Sequence, residues 1–372
     1  MNTQTALLNV LMLPDYREGN PYQQLLADAI AANDSKIHFY SDYRRVFPIF
    51  RAVQSCAQHP EVLHLHWLEK YLRGDTLLLR GTYALKLIID LLLTRASGTR
   101  IVWSIHNQLE HDTKFPSIDR WVRQTVMRLA DRLIFHNHVA LNQYQQHYDF
   151  DSSKAEIIPH GHYRAVYGSA IDSTEARRLL HLPTNRRIYL NLGMLKPYKG
   201  LEQLLQVWQA HQADLQDSTL VIAGQSFDPV YLEKLAELAA RTDNVVFYPQ
   251  FVENDRIHLY LSAADVVVLP YKNILTSGSA ILAMSFGKPI IAPRIGGIPE
   301  LVGTADALLY DTNHPEGLAI ALKKSTAIDF SQLHSQITMM CDRLEWSSIG
   351  AKTAEVYRSC WISDRLPEVQ KS

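Results

Sequence analysis

Polar residues able to do chemistry stand at the ends of apolar runs throughout this sequence. In the second half, Gly193-Met194-Leu195-Lys196-Pro197-Tyr198-Lys199-Gly200 closes the run RRIYLNL and leads straight into LEQLLQVW. A glycine at a strand end lets a ligand approach the backbone, and Lys196 and Lys199 can neutralise a diphosphate. Spacing alone equally allows a loop with two solvated lysines. Further on, Thr276-Ser277-Gly278-Ser279 precedes the helical stretch AILAMSFG. The free N–H groups and dipole of a helix start attract an anion, although Ser277 also suits a simple N-cap. Gly296 and Gly297 follow KPIIAP and permit close backbone approach. Glu300 then opens the next helix, where the dipole favours an acid in any case.

The first half is rich in imidazole: 11 of the 16 histidines lie in residues 1–170. His106-Asn107 ends RIVWSIHN and is followed by Gln108, Leu109, Glu110, His111 and Asp112. Polar groups just past a buried parallel strand point into a ligand crevice. His64 and His66 alternate along VLHLHW, so they share one face. No acidic third ligand is placed near them by sequence, and core or rim histidines are the plainer reading. Arg44-Arg45-Val46-Phe47-Pro48-Ile49-Phe50-Arg51 interleaves bases and aromatics. That pattern fits either a solvated loop or an anionic lipid surface.

These groups need a scaffold of parallel strands. Short β-branched runs at 7–14, 36–41, 62–67, 100–107, 132–137 and 155–160 alternate with helix-length amphipathic stretches. The second half repeats the scheme with RRIYLNLG, STLVIAG, NVVFYPQ, DVVVLPY, KPIIAP and DALLYD. Such alternation predicts α/β domains with helices on both faces of each sheet. The pattern lapses near 165–185, which predicts a first domain over 1–170, a second over 171–345, and a closing helix and tail over 346–372. At 372 residues the chain suits two domains of roughly 150–200 residues. With 47% apolar and 20% charged residues it is a folded globular chain. The balance of 37 bases against 38 acids argues against nucleic acid as a partner. Cys56, Cys341 and Cys360 show no C-x-x-C spacing, so no disulfide framework or cysteine zinc site is expected, and a reducing cytoplasm is. No signal peptide is read at the N-terminus. The greasiest stretch, ALKLIIDLLL, is short and interrupted by Lys86 and Asp90, so no membrane span is expected.

Taken in order, the three second-half segments resemble the donor domain of GT-B glycosyltransferases, above all the large family 4, the group 1 glycosyltransferases. The resemblance covers essentially the whole chain. It implies two doubly wound, Rossmann-like parallel-sheet domains facing across a cleft, with the helix from Trp346 crossing back to the first domain. The family's G-x-L-x-x-x-K-G stretch supplies a lysine to the donor diphosphate; here it reads G-M-L-K-P-Y-K-G, which gives Lys199 that role beside Gly193. The later block reads A-M-S-F-G-K-P-I-I-A-P-R-I-G-G-I-P-E from Ala283 to Glu300. Two departures stand out. Met194 occupies the place of an arginine, for which Lys196 is the substitute. Ile274 and Leu282 occupy the places of two glutamates that in the family hold the donor sugar and the ribose. Glu300 and Gly297 are then the residues expected at sugar or ribose, Thr276, Ser277, Gly278 and Ser279 at the diphosphate, and Gln250, Phe251 and Val252 at the base.

The activity implied is transfer of a sugar from a nucleoside diphosphate sugar to a hydroxyl of a glycan or lipid-linked glycan, in polysaccharide or glycoconjugate biosynthesis. No metal or other cofactor is implied, there being no D-x-D at a strand end. His106 is the first candidate near the reacting sugar. Asp112 or Glu110 is the base if the reaction inverts, because a base must take the acceptor proton. Asn20 and Tyr22, after the first strand, and His160, in an I-P-H-G stretch, are expected on the acceptor side. The resemblance fits a cytoplasmic enzyme, with a peripheral contact at the inner face of the plasma membrane. A non-catalytic nucleotide- or carbohydrate-binding protein and a sugar-nucleotide epimerase are the rivals left open.

Overall fold

A computed structural model of the chain describes residues 7–33, 35–40, 46–106 and 114–362. The chain forms two compact units, one of Met1–Gly161 with Glu345–Ser372 and the other of His162–Leu344. The second unit begins before the lapse at 165–185 because that stretch is already tied into it. His162 N donates to Leu344 O at 3.2 Å, Tyr163 N to Ser285 Oγ at 2.8 Å, and Ile171 N to Ser262 Oγ at 3.1 Å.

The chain runs through β1 (Leu8–Leu13), α1 (Pro21–Ala31), β2 (Ser35–Phe39), α2 (Pro48–Ser55), β3 (Val62–Leu65), α3 (Leu77–Ala96), β4 (Arg100–Ile105), α4 (Pro116–Leu129), β5 (Arg132–Phe135), α5 (His138–His147) and β6 (Ala155–Ile157). It continues with α6 (Ser173–Leu179), β7 (Arg187–Leu192), α7 (Leu201–Ala210), β8 (Ser218–Ala223), α8 (Pro229–Ala240), β9 (Val245–Tyr248), α9 (Ile257–Ala263), β10 (Val266–Val268), α10 (Gly278–Ser285), β11 (Ile290–Pro293), α11 (Ile298–Val302), β12 (Leu309–Tyr310), α12 (Gly317–Ala327), α13 (Phe330–Asp342) and α14 (Trp346–Ile362). Every strand run read from the sequence holds a strand.

Both sheets are six-stranded and every pairing is parallel. The first has the order β2-β1-β3-β4-β5-β6 and the second β12-β11-β10-β7-β8-β9. Each order reverses once, between β1 and β3 and between β7 and β10. At such a switch point the loops leave in opposite directions and open a crevice at the carboxyl ends of the strands. The hydrophobic faces explain the layering. Val10, Met12, Val62, Val102 and Ile134 alternate along their strands and pack with Leu26 and Ile30 of α1 and Ala354 and Tyr357 of α14 in one core. Residues 345–362 thus belong to the first unit. Gly350 lies so close to α1 that an added Cβ would sit 2.3 Å from Ala29 O.

Two helices, α2 and α13, were not read from the sequence. Residues 48–55 form α2, although Phe47 before it has φ +47° and gives no side-chain cap. Its first N–H groups are satisfied from a distance instead. The Asp90 carboxylate of α3 accepts from Ile49 N at 3.0 Å and Phe50 N at 2.7 Å. Burial raises the Asp90 pKa to about 6 despite these bonds. The acid that interrupts the greasy stretch is therefore a helix cap.

Candidate functional site

In the second unit, the loops after β7 and β10 flank the switch point, and they are fastened to one another. Gly200, at φ +72°, lies under Pro270, whose carbonyl would be 1.9 Å from an added Cβ. Lys272 N donates to Tyr198 O at 2.8 Å. Gly296, at φ +53°, is pressed as closely on Ile274 O, and Gly297 N donates to Leu275 O at 3.0 Å. The G-G-I-P-E segment thus props the T-S-G-S loop, with the Gly297 amide engaged there.

The result is a small cluster around Gly193. A Cβ placed there would lie 3.3 Å from Lys199 Nζ and 3.8 Å from Ser279 Oγ. Lys199 is buried, and its pKa is pushed down to about 8 by burial and by the charge of Lys196. Both causes oppose the ammonium, and an anion bound against it would raise the pKa again. Ser277 is the N-cap of α10: its Oγ accepts from Ala280 N at 3.0 Å and meets the Tyr271 hydroxyl at 2.8 Å. Ile281 N bonds to Ser277 O, so the amides of Gly278 and Ser279 are the ones this helix start offers an anion. Lys196 is exposed, with its carbonyl held by the Tyr231 hydroxyl at 3.3 Å. Thr276 is half-buried, Glu300 is exposed in the first turn of α11, and Gln250, Phe251 and Val252 follow edge strand β9, with Phe251 54% exposed.

In the first unit the chemistry grows out of the same alternation that builds the core. On the α1/α14 face, Val62 is followed by His64 and His66, Val102 by Ser104 and His106, Ile134 by His136, and Ile158 by His160. Four adjacent strands thus turn from apolar to imidazole at their carboxyl ends. His64 bonds to the Tyr357 hydroxyl at 2.6 Å and to Ser104 Oγ at 2.8 Å, a satisfied core histidine. His66 Nδ1 lies 3.0 Å from His106 Nε2, His106 Nδ1 lies 3.1 Å from His136 Nε2, and His136 Nδ1 lies 2.9 Å from Ile158 O. Both ring nitrogens of His106 are therefore engaged by protein. Burial and mutual repulsion hold these rings neutral: pKa is about 3 for His64 and His160, about 4 for His136, and well below the usual value for His66 and His106.

Tyr22 is buried at the centre of this cluster, 4.4 Å centroid to centroid from His160 and 5.2 Å from His106, while Trp67 stacks on His106 at 4.5 Å. Asn20 caps α1, its Oδ1 accepting from Tyr22 N at 3.1 Å. Two residues expected on the acceptor side thus organise the site from within. His160 donates Nδ1–H to Gly161 O at 2.8 Å. Asp15, Tyr16, Glu18, Gly19 and Asn20 line an open pocket of about 460 Å³. Glu110 and Asp112 lie outside the described residues, as do Arg44 and Arg45.

The model of the family described as "Glycosyl transferases group 1" matches residues 172–330. A GDP-mannose:glycolipid 4-beta-D-mannosyltransferase of Xanthomonas campestris pv. campestris is 31% identical over 260 residues, covering 68% of this chain and 67% of the relative. The chain belongs to the group 1 glycosyltransferases. It is a sugar-nucleotide-dependent glycosyltransferase. A D-inositol 3-phosphate glycosyltransferase of Streptomyces bingchenggensis is 28% identical over 67% of this chain and 57% of its own length. Among solved structures, HepE of Anabaena in complex with UDP and glucose superposes with a TM-score of 0.72 at 16% identity, over 95% of this chain and 100% of that one. Sucrose-phosphate synthase of Thermosynechococcus elongatus gives 0.71 at 19% identity, over 96% and 100%. These likenesses show the GT-B fold.

Within this glycosyltransferase the sequence reading overlooked His136 and the pairing of His66 with His106. A signal was present. The runs SIHN, IFHN and IIPH each place a histidine where an apolar strand ends.

Proposed function

We propose that this enzyme transfers mannose from GDP-mannose to a glycolipid or lipid-linked glycan with inversion at the anomeric carbon. The observation that carries the donor half is the convergence of the Lys199 ammonium, the Ser279 hydroxyl and the start of α10 around Gly193, at a switch point. Lysine and helix amides there would take the charge that grows on the leaving diphosphate. Gln250, Phe251 and Val252 would lie against the base, and Glu300 near the ribose or sugar. The Xanthomonas relatives, named for making a β-mannoside from GDP-mannose, support the donor and the outcome. The mannosyl phosphate bond of GDP-mannose is α, so a β product requires inversion. Inversion requires a base on the acceptor side, and the first unit supplies His106, with Glu110 and Asp112 next in sequence.

A peripheral membrane contact through α3 belongs to the same reading. Leu78, Leu85, Ile89 and Leu92 recur at helical spacing and are 84%, 56%, 36% and 48% exposed. The only acid of α3, Asp90, is buried, and Arg80 and Arg95 of the same helix are paired with Asp119 and Asp131 of the protein. An exposed leucine stripe of this kind suits a lipid surface that carries the acceptor. No described helix is long and apolar enough to cross a membrane.

The test is release of GDP from GDP-mannose in the presence of octyl glycosides, with UDP-glucose and ADP-glucose as controls and the product anomer read by NMR. A β-mannoside is expected. An α-linked product would overturn inversion, and turnover of another sugar nucleotide alone would overturn the donor.

A further inference from the structure

One carbonyl fixes the direction of every hydrogen bond in the imidazole series. A carbonyl only accepts, so His136 Nδ1, 2.9 Å from Ile158 O, carries the hydrogen. Neutral His136 is then a bare lone pair at Nε2. His106 Nδ1, 3.1 Å away, must donate to it, which leaves His106 Nε2 bare. His66 Nδ1, 3.0 Å from that nitrogen, must donate in turn. The series ends at His66 Nε2, a buried nitrogen without a hydrogen-bond partner among the described residues. The opposite orientation would set a lone pair of His136 against the carbonyl and strand an N–H on His66, a costlier arrangement. His64 and His160 stand outside the series, since Tyr357 and Ser104 hold the one and Gly161 O the other.

We propose that His66, His106 and His136 form a proton relay for the transfer reaction, with His106 the proton acceptor and His136 the positioning residue that orients it and receives the charge. The proposal rests on the transferase reading above. In the step, the acceptor hydroxyl takes the place of His66 at His106 Nε2. Its oxygen forms the bond to the anomeric carbon while the bond from that carbon to the diphosphate oxygen breaks, its electron pair leaving with the diphosphate. The hydroxyl proton passes to His106 Nε2, and the His106 Nδ1 proton passes to His136 Nε2. The positive charge rests on His136, whose Nδ1–H still points at Ile158 O. The displaced His66 Nδ1–H is then free to donate to the acceptor oxygen and hold it in place. Among the described residues, the titratable groups facing the relay are His64 on β3, Tyr22 on α1, His160 after β6 and, through His64, Tyr357 on α14. None of them is a carboxylate that would hold a standing positive charge on the relay, and the other imidazoles oppose a second proton.

The experiment has a spectroscopic and a kinetic arm on the full chain. Long-range ¹H–¹⁵N correlation of ring-labelled histidine at pH 7 should find His66, His106 and His136 all as Nδ1–H tautomers. An Nε2–H tautomer at His106 or His136, or a charged ring there, overturns the relay whatever the enzyme's substrate is. The kinetic arm follows hydrolysis of GDP-mannose to GDP and mannose, with water as acceptor. His136→Gln keeps an oxygen to accept from His106 Nδ1 but cannot take a proton. It should preserve the His106 tautomer and lower kcat at least tenfold, while KM for GDP-mannose stays within twofold. His136→Leu should lose both the tautomer and about 10²-fold in kcat. Wild-type kcat and pH profile in both variants overturn the proposal. GDP that fails to bind the wild-type chain would instead overturn the donor reading and leave the tautomers to decide the relay.

Discussion

Acidification should unfold the first unit early, and the size of the effect follows from its histidines. His64, His136 and His160 have folded pKa values of about 3, 4 and 3, against about 6.5 in an unfolded chain. The unfolded chain therefore binds more protons, so the stability these groups permit is complete above about pH 7 and drains as pH falls through 6.5 toward 4. One pKa unit is about 1.4 kcal/mol, so between pH 7 and pH 5 each histidine costs at most about 2 kcal/mol and the three together about 6. Asp90 works in the opposite sense. Its folded pKa of about 6 is raised, so protonation over the same range returns about 1 kcal/mol. A net loss near 5 kcal/mol is comparable to the whole stability of many domains. Urea unfolding of the full chain at pH 7.5, 6 and 5, with hydrogen exchange of peptides covering β3 to β5, reads the loss in the unit concerned. His160→Phe removes one titration and should flatten the acid limb by about 2 kcal/mol. A wild-type loss below about 1 kcal/mol, or an acid limb unchanged in the variant, would refute the idea that burial holds these rings neutral.

Lys199→Ala should weaken turnover of GDP-mannose at least tenfold, about 1.4 kcal/mol, with GDP affinity falling in calorimetry; wild-type constants would remove Lys199 from the donor site. Gly296→Ala forces a side chain against Ile274 O at φ +53° and should cost more than about 2 kcal/mol in thermal unfolding along with GDP affinity. Gly19→Ala, where nothing lies within 4 Å of the added carbon, should stay within about 0.5 kcal/mol of wild type, and equal effects at the two sites would contradict the packing argument. The double variant Leu85→Glu, Leu92→Glu should co-sediment less with phosphatidylglycerol vesicles than wild type does, while its hydrolysis of GDP-mannose in solution is unchanged. Undiminished sedimentation would exclude the α3 stripe as the lipid contact.

The twelve strands and most helices were legible because they rest on local periodicity: two-residue alternation or continuous apolar runs, bounded by glycine, proline and polar turns. The segments that meet around Gly193 were legible too, since the residues at 193–200 and 276–279 each follow their own strand at short range. Their contact was not. Gly193 and Ser279 meet because β7 lies beside β10 in the sheet, and strand order comes from crossover packing rather than from any local pattern. Helix α2 was invisible because its cap is Asp90, supplied by the following helix. The imidazole series shows the division most plainly. Alternation marks His64, His66 and His106 as strand-end residues, but nothing near His106 in sequence says that His66 and His136 occupy its two nitrogens. That follows from β3, β4 and β5 being neighbours, and the proton positions follow from the Ile158 carbonyl beyond β6. A residue's type and its place along a strand are local properties. Its partners, its tautomer and its pKa depend on which distant segments the fold packs around it, and only the tertiary structure decides those.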